Sequence, residues 1–266
     1  MGKVDVGRLL TFLREKSYCH DMSPHPTSVI YVNGERLEAT PSGALWWPER
    51  RALLVADLHF EKGSSFAGRG VLLPPYDTRA TLKRLAAVKE AFAPRIMVSL
   101  GDAFHDVDAE ARLDPEDASL LDQVMHGVQW VWITGNHDPL PPARFSGEVA
   151  ADLSLGALRL VHEPSAGPAD GEIAGHLHPC AKVVTSGRRV RRRCFATDGK
   201  RLILPAFGAY TGGLNVLDSA YDQIFGHDLT AWVAGAKGVY PFGRGKLVPD
   251  MPSFGGAVST NSRKAS

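Results

Sequence analysis

Three short apolar runs in the first half of the chain, Leu53-Leu54-Val55-Ala56, Ile96–Leu100 and Val131-Trp132-Ile133, each give way within three residues to Asp57, Asp102 or Asn136. Runs that are short, apolar throughout and bounded by turn residues read as strands buried on both faces. Between them, Asp77–Phe92 carries Leu82, Leu85, Ala86, Val88, Lys89 and Phe92 at helical spacing, with Pro94 as its stop. Asp114–Met125 reads as a second helix, with Asp114 as N-cap, Pro115 in the first turn and Gly127 beyond the end. A strand-helix-strand-helix-strand order demands an α/β architecture. Open sheets of that class gather their functional groups at the carboxyl ends of the strands.

Ser28–Val32, Arg36–Ala39 and Ala44–Trp47 are further β-prone runs, separated by Asn33-Gly34 and Ser42-Gly43. From about Leu155 onward the chain reads mostly as strands: Ala157–Val161, Glu172–Ala174, Ala181–Thr185, Val190–Ala196, Arg201–Leu204 and Gln223–Gly226. Two mixed sheets packed face to face, with helices outside, are expected. Residues 1–27, with the breaker run Ser23-Pro24-His25-Pro26-Thr27 and Met22 as a candidate start, read as a flexible N-terminal extension. The domain is expected over 28–247, and 248–266, rich in Gly, Ser, Pro and Thr, as a disordered tail.

Bulk composition narrows little. Among 266 residues, 44% are hydrophobic and the formal charge is +1, so attraction to nucleic acid or an anionic membrane must come from a local patch. Cys19, Cys180 and Cys194 are too few and too odd for a disulfide framework, which points to a reducing compartment and a cytoplasmic location. No apolar run has the length of a membrane span, and Leu9–Leu13 is too short for a secretory core.

Five ligand-bearing motifs occur in order: Asp57-Leu58-His59, Gly101-Asp102, Gly135-Asn136-His137-Asp138, His162 and Gly175-His176-Leu177-His178. Each is weak singly, since Asp-x-His is usually a surface accident and Gly-Asp a common turn. Together they offer carboxylate, amide and imidazole groups suited to divalent cations. Strand alternation would point Asp57 and His59 the same way around Leu58, and His176 and His178 the same way around Leu177. Gly101, Gly135 and Gly175 precede proposed ligands and allow tight turns.

This pattern resembles the calcineurin-like metallophosphoesterase superfamily over roughly residues 28–245. The resemblance implies a four-layer αββα sandwich around a two-metal centre. It assigns Asp57, His59 and His178 to one ion, Asn136, His162 and His176 to the other, and Asp102 to both. It also implies that His137, held by Asp138, assists the leaving group as a phosphate ester is cut. Two divalent cations, Mn²⁺ before Fe or Zn²⁺, would clamp the phosphate and acidify a water between them.

Longer stretches, Asp57–Ser65, Leu100–Asp106 and Pro205–Gly213, resemble the bacterial ligase-associated DNA-damage-response phosphoesterases. That likeness implies a phosphodiesterase or endonuclease acting on DNA, with a ligase, a helicase and an exonuclease as associated repair partners. A phosphomonoesterase, a nucleotide pyrophosphatase or a non-catalytic binding scaffold are the alternatives. Lys62, His105, Tyr210 and Thr211 are candidate substrate contacts. Gly187–Arg193 places five arginines in six residues, and Arg188 and Arg189 would grip phosphates at a hairpin tip. The same charge would equally protect a sheet edge.

Overall fold

The computed structural model describes residues 27–250, apart from 69, 72, 75, 138–143 and 186. The first sheet runs β1 (Ser28–Val32), β2 (Glu35–Ala39), β3 (Leu45–Trp47), β4 (Ala52–Ala56), β5 (Ile96–Leu100), β6 (Gln129–Ile133) and β7 (Glu148–Ala150), in that spatial order. Its first four strands are antiparallel, whereas β4 to β7 are parallel. The carboxyl ends of β4, β5 and β6 therefore open on one edge of the sheet.

The second sheet contains β8 (Asp152–Leu155), β9 (Leu158–Val161), β10 (Glu172–Ala174), β12 (Arg188–Thr197), β13 (Leu202–Ile203), β14 (Thr230–Gly235) and β15 (Gly238–Gly243). Strand β11 (Cys180–Thr185) pairs with the outer part of β12 as a hairpin. Strands β9 and β10 are parallel, which brings His162 and His176 off neighbouring strand ends.

Alternation within each strand builds the layers. Leu54, Ala56, Val98, Leu100, Val131 and Ile133 point inward to meet Leu153, Leu160, Ile173, Phe195 and Leu204 of the second sheet. Leu53, Val55, Met97, Trp130 and Trp132 point outward to α2 (Asp77–Phe92) and α4 (Pro115–Met125). Burying each such side chain contributes about 1.5–3 kcal/mol. The Asp114 carboxylate caps α4 by accepting from the Glu116 N–H, as its position before Pro115 predicts. Two shorter helices, α1 (Lys62–Gly68) and α3 (Ala109–Arg112), flank the strand ends.

The fourth layer is thin. Val216, Tyr221, Phe225 and Leu229, around the 3-10 turn Ser219–Tyr221, cover Cys194, Ala196, Ala231 and Val233. The strand expected at Gln223–Gly226 is thus a covering loop, with Phe225 buried against the sheet and no ladder partner among the described residues. At the far end the ordered contacts continue past 247: the Val248 N–H donates to the Lys182 carbonyl at 2.8 Å, and Asp250 pairs with the hairpin.

Candidate metal centre

Each proposed ligand leaves the end of a parallel strand: Asp57 after β4, Asp102 after β5, Asn136 after β6, His162 after β9, and His176 and His178 after β10. Asp57, His59, Asp102, His176 and His178 all have positive φ, between 43° and 68°. The alternation expected around Leu58 and Leu177 is therefore absent. The chain turns sharply at each ligand instead, and His176 and His178 serve different groups. Such left-handed conformations at non-glycine residues concentrate where function holds the backbone in place.

Two groups form. In the first, His59 Nε2 lies 3.3 Å from His178 Nε2, and His178 Nε2 lies 3.4 Å from Asp57 Oδ1. In the second, Asn136 Oδ1, His162 Nε2 and His176 Nδ1 form a triangle with sides of 2.8, 3.1 and 3.1 Å. Donors each about 2.0–2.2 Å from one ion sit about 3.0–3.5 Å apart, so both sets have the spacing of a coordination shell.

Asp102 stands between them. Its Oδ1 is 3.5 Å from His162 Nε2, and its Oδ2 is 3.9 Å from His59 Nε2. Asp57, His59 and His178, and separately Asp102, His162 and His176, can each surround a metal ion.

The chemistry of the donor atoms fits a cation. His162 Nδ1 donates to the Leu100 carbonyl at 3.1 Å, which leaves the Nε2 lone pair aimed at Asn136 Oδ1, itself an acceptor. A cation relieves that acceptor-acceptor contact. Burial, followed by the fields of His178, Lys62, His105 and His137, pushes the His59 imidazole down to about 2, so it stays neutral and able to ligate. The Asp57 carboxylate accepts from the His176 N–H at 3.0 Å.

Space around these groups is tight. A Cβ at Gly101, where φ is +70°, would lie 2.2 Å from His162 Nδ1. At Gly175 the need is room rather than φ: a Cβ there would lie 2.8 Å from Asp57 Oδ2.

His137 is exposed at the rim. Its N–H donates to Asp102 Oδ1 at 3.0 Å, and its Nδ1 to the His105 carbonyl at 3.0 Å. Its ring stacks on His105 and meets His59 edge-on, with centroids 5.4 and 5.3 Å away. Asp138 lies outside the described residues. Lys62 opens α1, half-buried; burial lowers its pKa against the opposing pull of the Asp77, Asp102 and Asp57 carboxylates.

Tyr210 and Thr211 turn to the protein. The Tyr210 hydroxyl donates to the Pro74 carbonyl at 2.9 Å and that of Thr211 to the Gly208 carbonyl at 2.8 Å. Arg188 and Arg189 are exposed on β12.

Sequence reasoning missed the device that seats the Phe207–Ala209 loop. The Phe207 and Gly208 N–H groups donate to the carbonyls of Ala56 and Asp57 at 2.7 and 3.1 Å. Arg84 donates to the Phe207 carbonyl, and Arg193 reaches the same oxygen at 3.4 Å and the Gly208 carbonyl at 2.7 Å. Burial, then the neighbouring Arg193, lowers Arg84 to about 10. An arginine run signalled Arg193, though as surface charge; nothing in the helical pattern distinguished Arg84.

Among the described residues no helix is long and apolar enough to cross a membrane. No protein-family model and no curated protein matches the chain. Among solved structures, a nuclease named MPE from Pseudomonas putida is similar, with 31% identity and a TM-score of 0.63. The likeness covers 81% of this chain and 100% of that one. With that identity across the nuclease's whole length, and with paired ligand groups on a metallophosphoesterase-like sandwich, this chain belongs to the same family as that nuclease.

Proposed function

We propose that this chain is a two-metal phosphodiesterase that cuts DNA. The observation that carries the reading is Asp102, one carboxylate whose two oxygens face two separate ligand groups. Asp57, His59 and His178 would hold one cation, and Asn136, His162 and His176 the other, with Asp102 shared between them. When bound, two divalent cations, Mn²⁺ by preference, supply Lewis acidity to the phosphoryl oxygens and make water nucleophilic near neutral pH.

The chain's own residues do the rest. His137 keeps its Nδ1 proton on the His105 carbonyl, so the proton that passes to the leaving oxygen is the second one of its imidazolium, on Nε2. Its backbone N–H ties the main chain of His137 to the shared carboxylate. The His105 ring, stacked on His137, limits how it rotates. Lys62 brings a cationic group toward the carboxylate-rich floor, where it offsets phosphate charge. Tyr210 and Thr211 shape the lip beside it through their hydrogen bonds to Pro74 and Gly208. Asp138 behind His137, and a repair setting with ligase, helicase and exonuclease partners, are carried by the sequence resemblance.

The test compares bis-p-nitrophenyl phosphate with p-nitrophenyl phosphate in Mn²⁺, followed by cleavage of single-stranded, duplex and flapped DNA, with Asp102→Ala as control. The diester and DNA should be cut, and Asp102→Ala should be inactive on both. Preference for the monoester without DNA cleavage overturns the reading in favour of a phosphomonoesterase.

A further inference from the structure

The β11–β12 hairpin carries cations that the metal centre does not use. Its register sets Val184 opposite Arg189, Lys182 opposite Arg191 and Cys180 opposite Arg193. Residues opposite each other in a ladder share a face. Lys182, Arg189, Arg191 and Arg193 thus line one face. Arg188 and Arg192 belong to the other, whose Ala181 and Val183 are buried in the outer core.

The first face adjoins the metal centre. Arg193 donates to the Gly208 carbonyl at 2.7 Å and Arg191 to the Gly213 carbonyl at 2.5 Å. Gly208 packs directly on the Leu58 backbone and Gly213 on that of His178, with no room for a Cβ at either. Carbonyl partners aim a guanidinium without neutralising it. One acid answers this face among the described ion pairs: Asp250, 3.6 Å from Lys182 Nζ and 3.3 Å from Arg191 Nε. A carboxylate held between two cations has the charge and acceptor geometry of a phosphate oxygen pair.

We propose that the Lys182–Arg189–Arg191 face is an exosite that tracks the phosphates of a nucleic-acid strand from the hairpin tip to the metal centre, with Asp250 occupying a phosphate position until the strand displaces it. This inference rests on the nucleic-acid reading above. It explains how a chain of net charge +1 holds a polyanion, since a local stripe replaces bulk charge.

The experiment follows a fluorescent oligodeoxynucleotide by anisotropy in EDTA, where nothing is cut, across a range of KCl concentrations. Lys182→Ala/Arg189→Ala should weaken binding about tenfold and flatten the salt slope by about 1.5, at about 0.7–0.9 per lost phosphate contact. Asp250→Asn should tighten binding about threefold by removing the competing carboxylate. Arg192→Ala, on the opposite face, should lose less than about twofold.

An unchanged double variant, a weaker Asp250→Asn, or an Arg192→Ala as impaired as the double variant each overturns the exosite. Turnover of bis-p-nitrophenyl phosphate by the parent chain separates the two claims. If the parent hydrolyses this ester while the binding pattern fails, the exosite is wrong and the phosphodiesterase reading stands. Absence of hydrolysis counts against that reading, whatever the hairpin does.

Discussion

Asp57, His59, Asp102, His176 and His178 all sit in the left-handed region of backbone space, where a non-glycine residue costs of order 1–3 kcal/mol. Ligand identity was legible because a polar residue directly after a buried strand has few structural uses. Ligand conformation was not, because two-residue alternation is a property of strands and these residues lie just past them. At this scale His137→Ala should cost about 10²–10⁴ in turnover on a phosphodiester, the range for removing a general acid. Its metal content should match the parent's by elemental analysis, because the side chain belongs to neither ligand group. Gly175→Val should behave in the opposite way. Its added methyls press on Asp57 and Ala56, so bound cation per chain should fall along with activity.

Among the elements, β4, β5 and β6 and both long helices stood out because uninterrupted apolar runs and helical spacing are strong signals. Strands β14 and β15 did not. They are half-exposed, carry Gly235, Gly238 and Pro241, and owe their pairing to neighbours far away in sequence. Gln223–Gly226 was the converse error: Phe225 is apolar because it covers the sheet, not because it joins it. The hairpin arginines look alike in sequence, yet Arg193 is half-buried and fastened to the Phe207–Ala209 loop. Arg193→Met should strip those carbonyls of a charged donor, at a cost of about 1–3 kcal/mol. A thermal scan should show Tm lowered by about 3–10 °C. An unchanged Tm would mean that Arg84 and the backbone bonds to Ala56 and Asp57 seat the loop without Arg193.

For the whole molecule, the two sheets meet through one apolar core, and the ligand groups sit where strand ends from both sheets come together. Cation binding should therefore tie the sheets to each other. At a hundredfold excess over Kd, a cation that binds only the folded chain adds about 2.7 kcal/mol per site. With both sites emptied, about 5 kcal/mol, chelation should lower Tm by about 10–20 °C, and Mn²⁺ should restore it. The most direct measurement is anomalous diffraction from crystals equilibrated with Mn²⁺. Two peaks are expected, one among Asp57, His59 and His178 and one among Asn136, His162 and His176, with the Asp102 carboxylate between them. A single peak, or peaks away from Asp102, would contradict the two-metal centre.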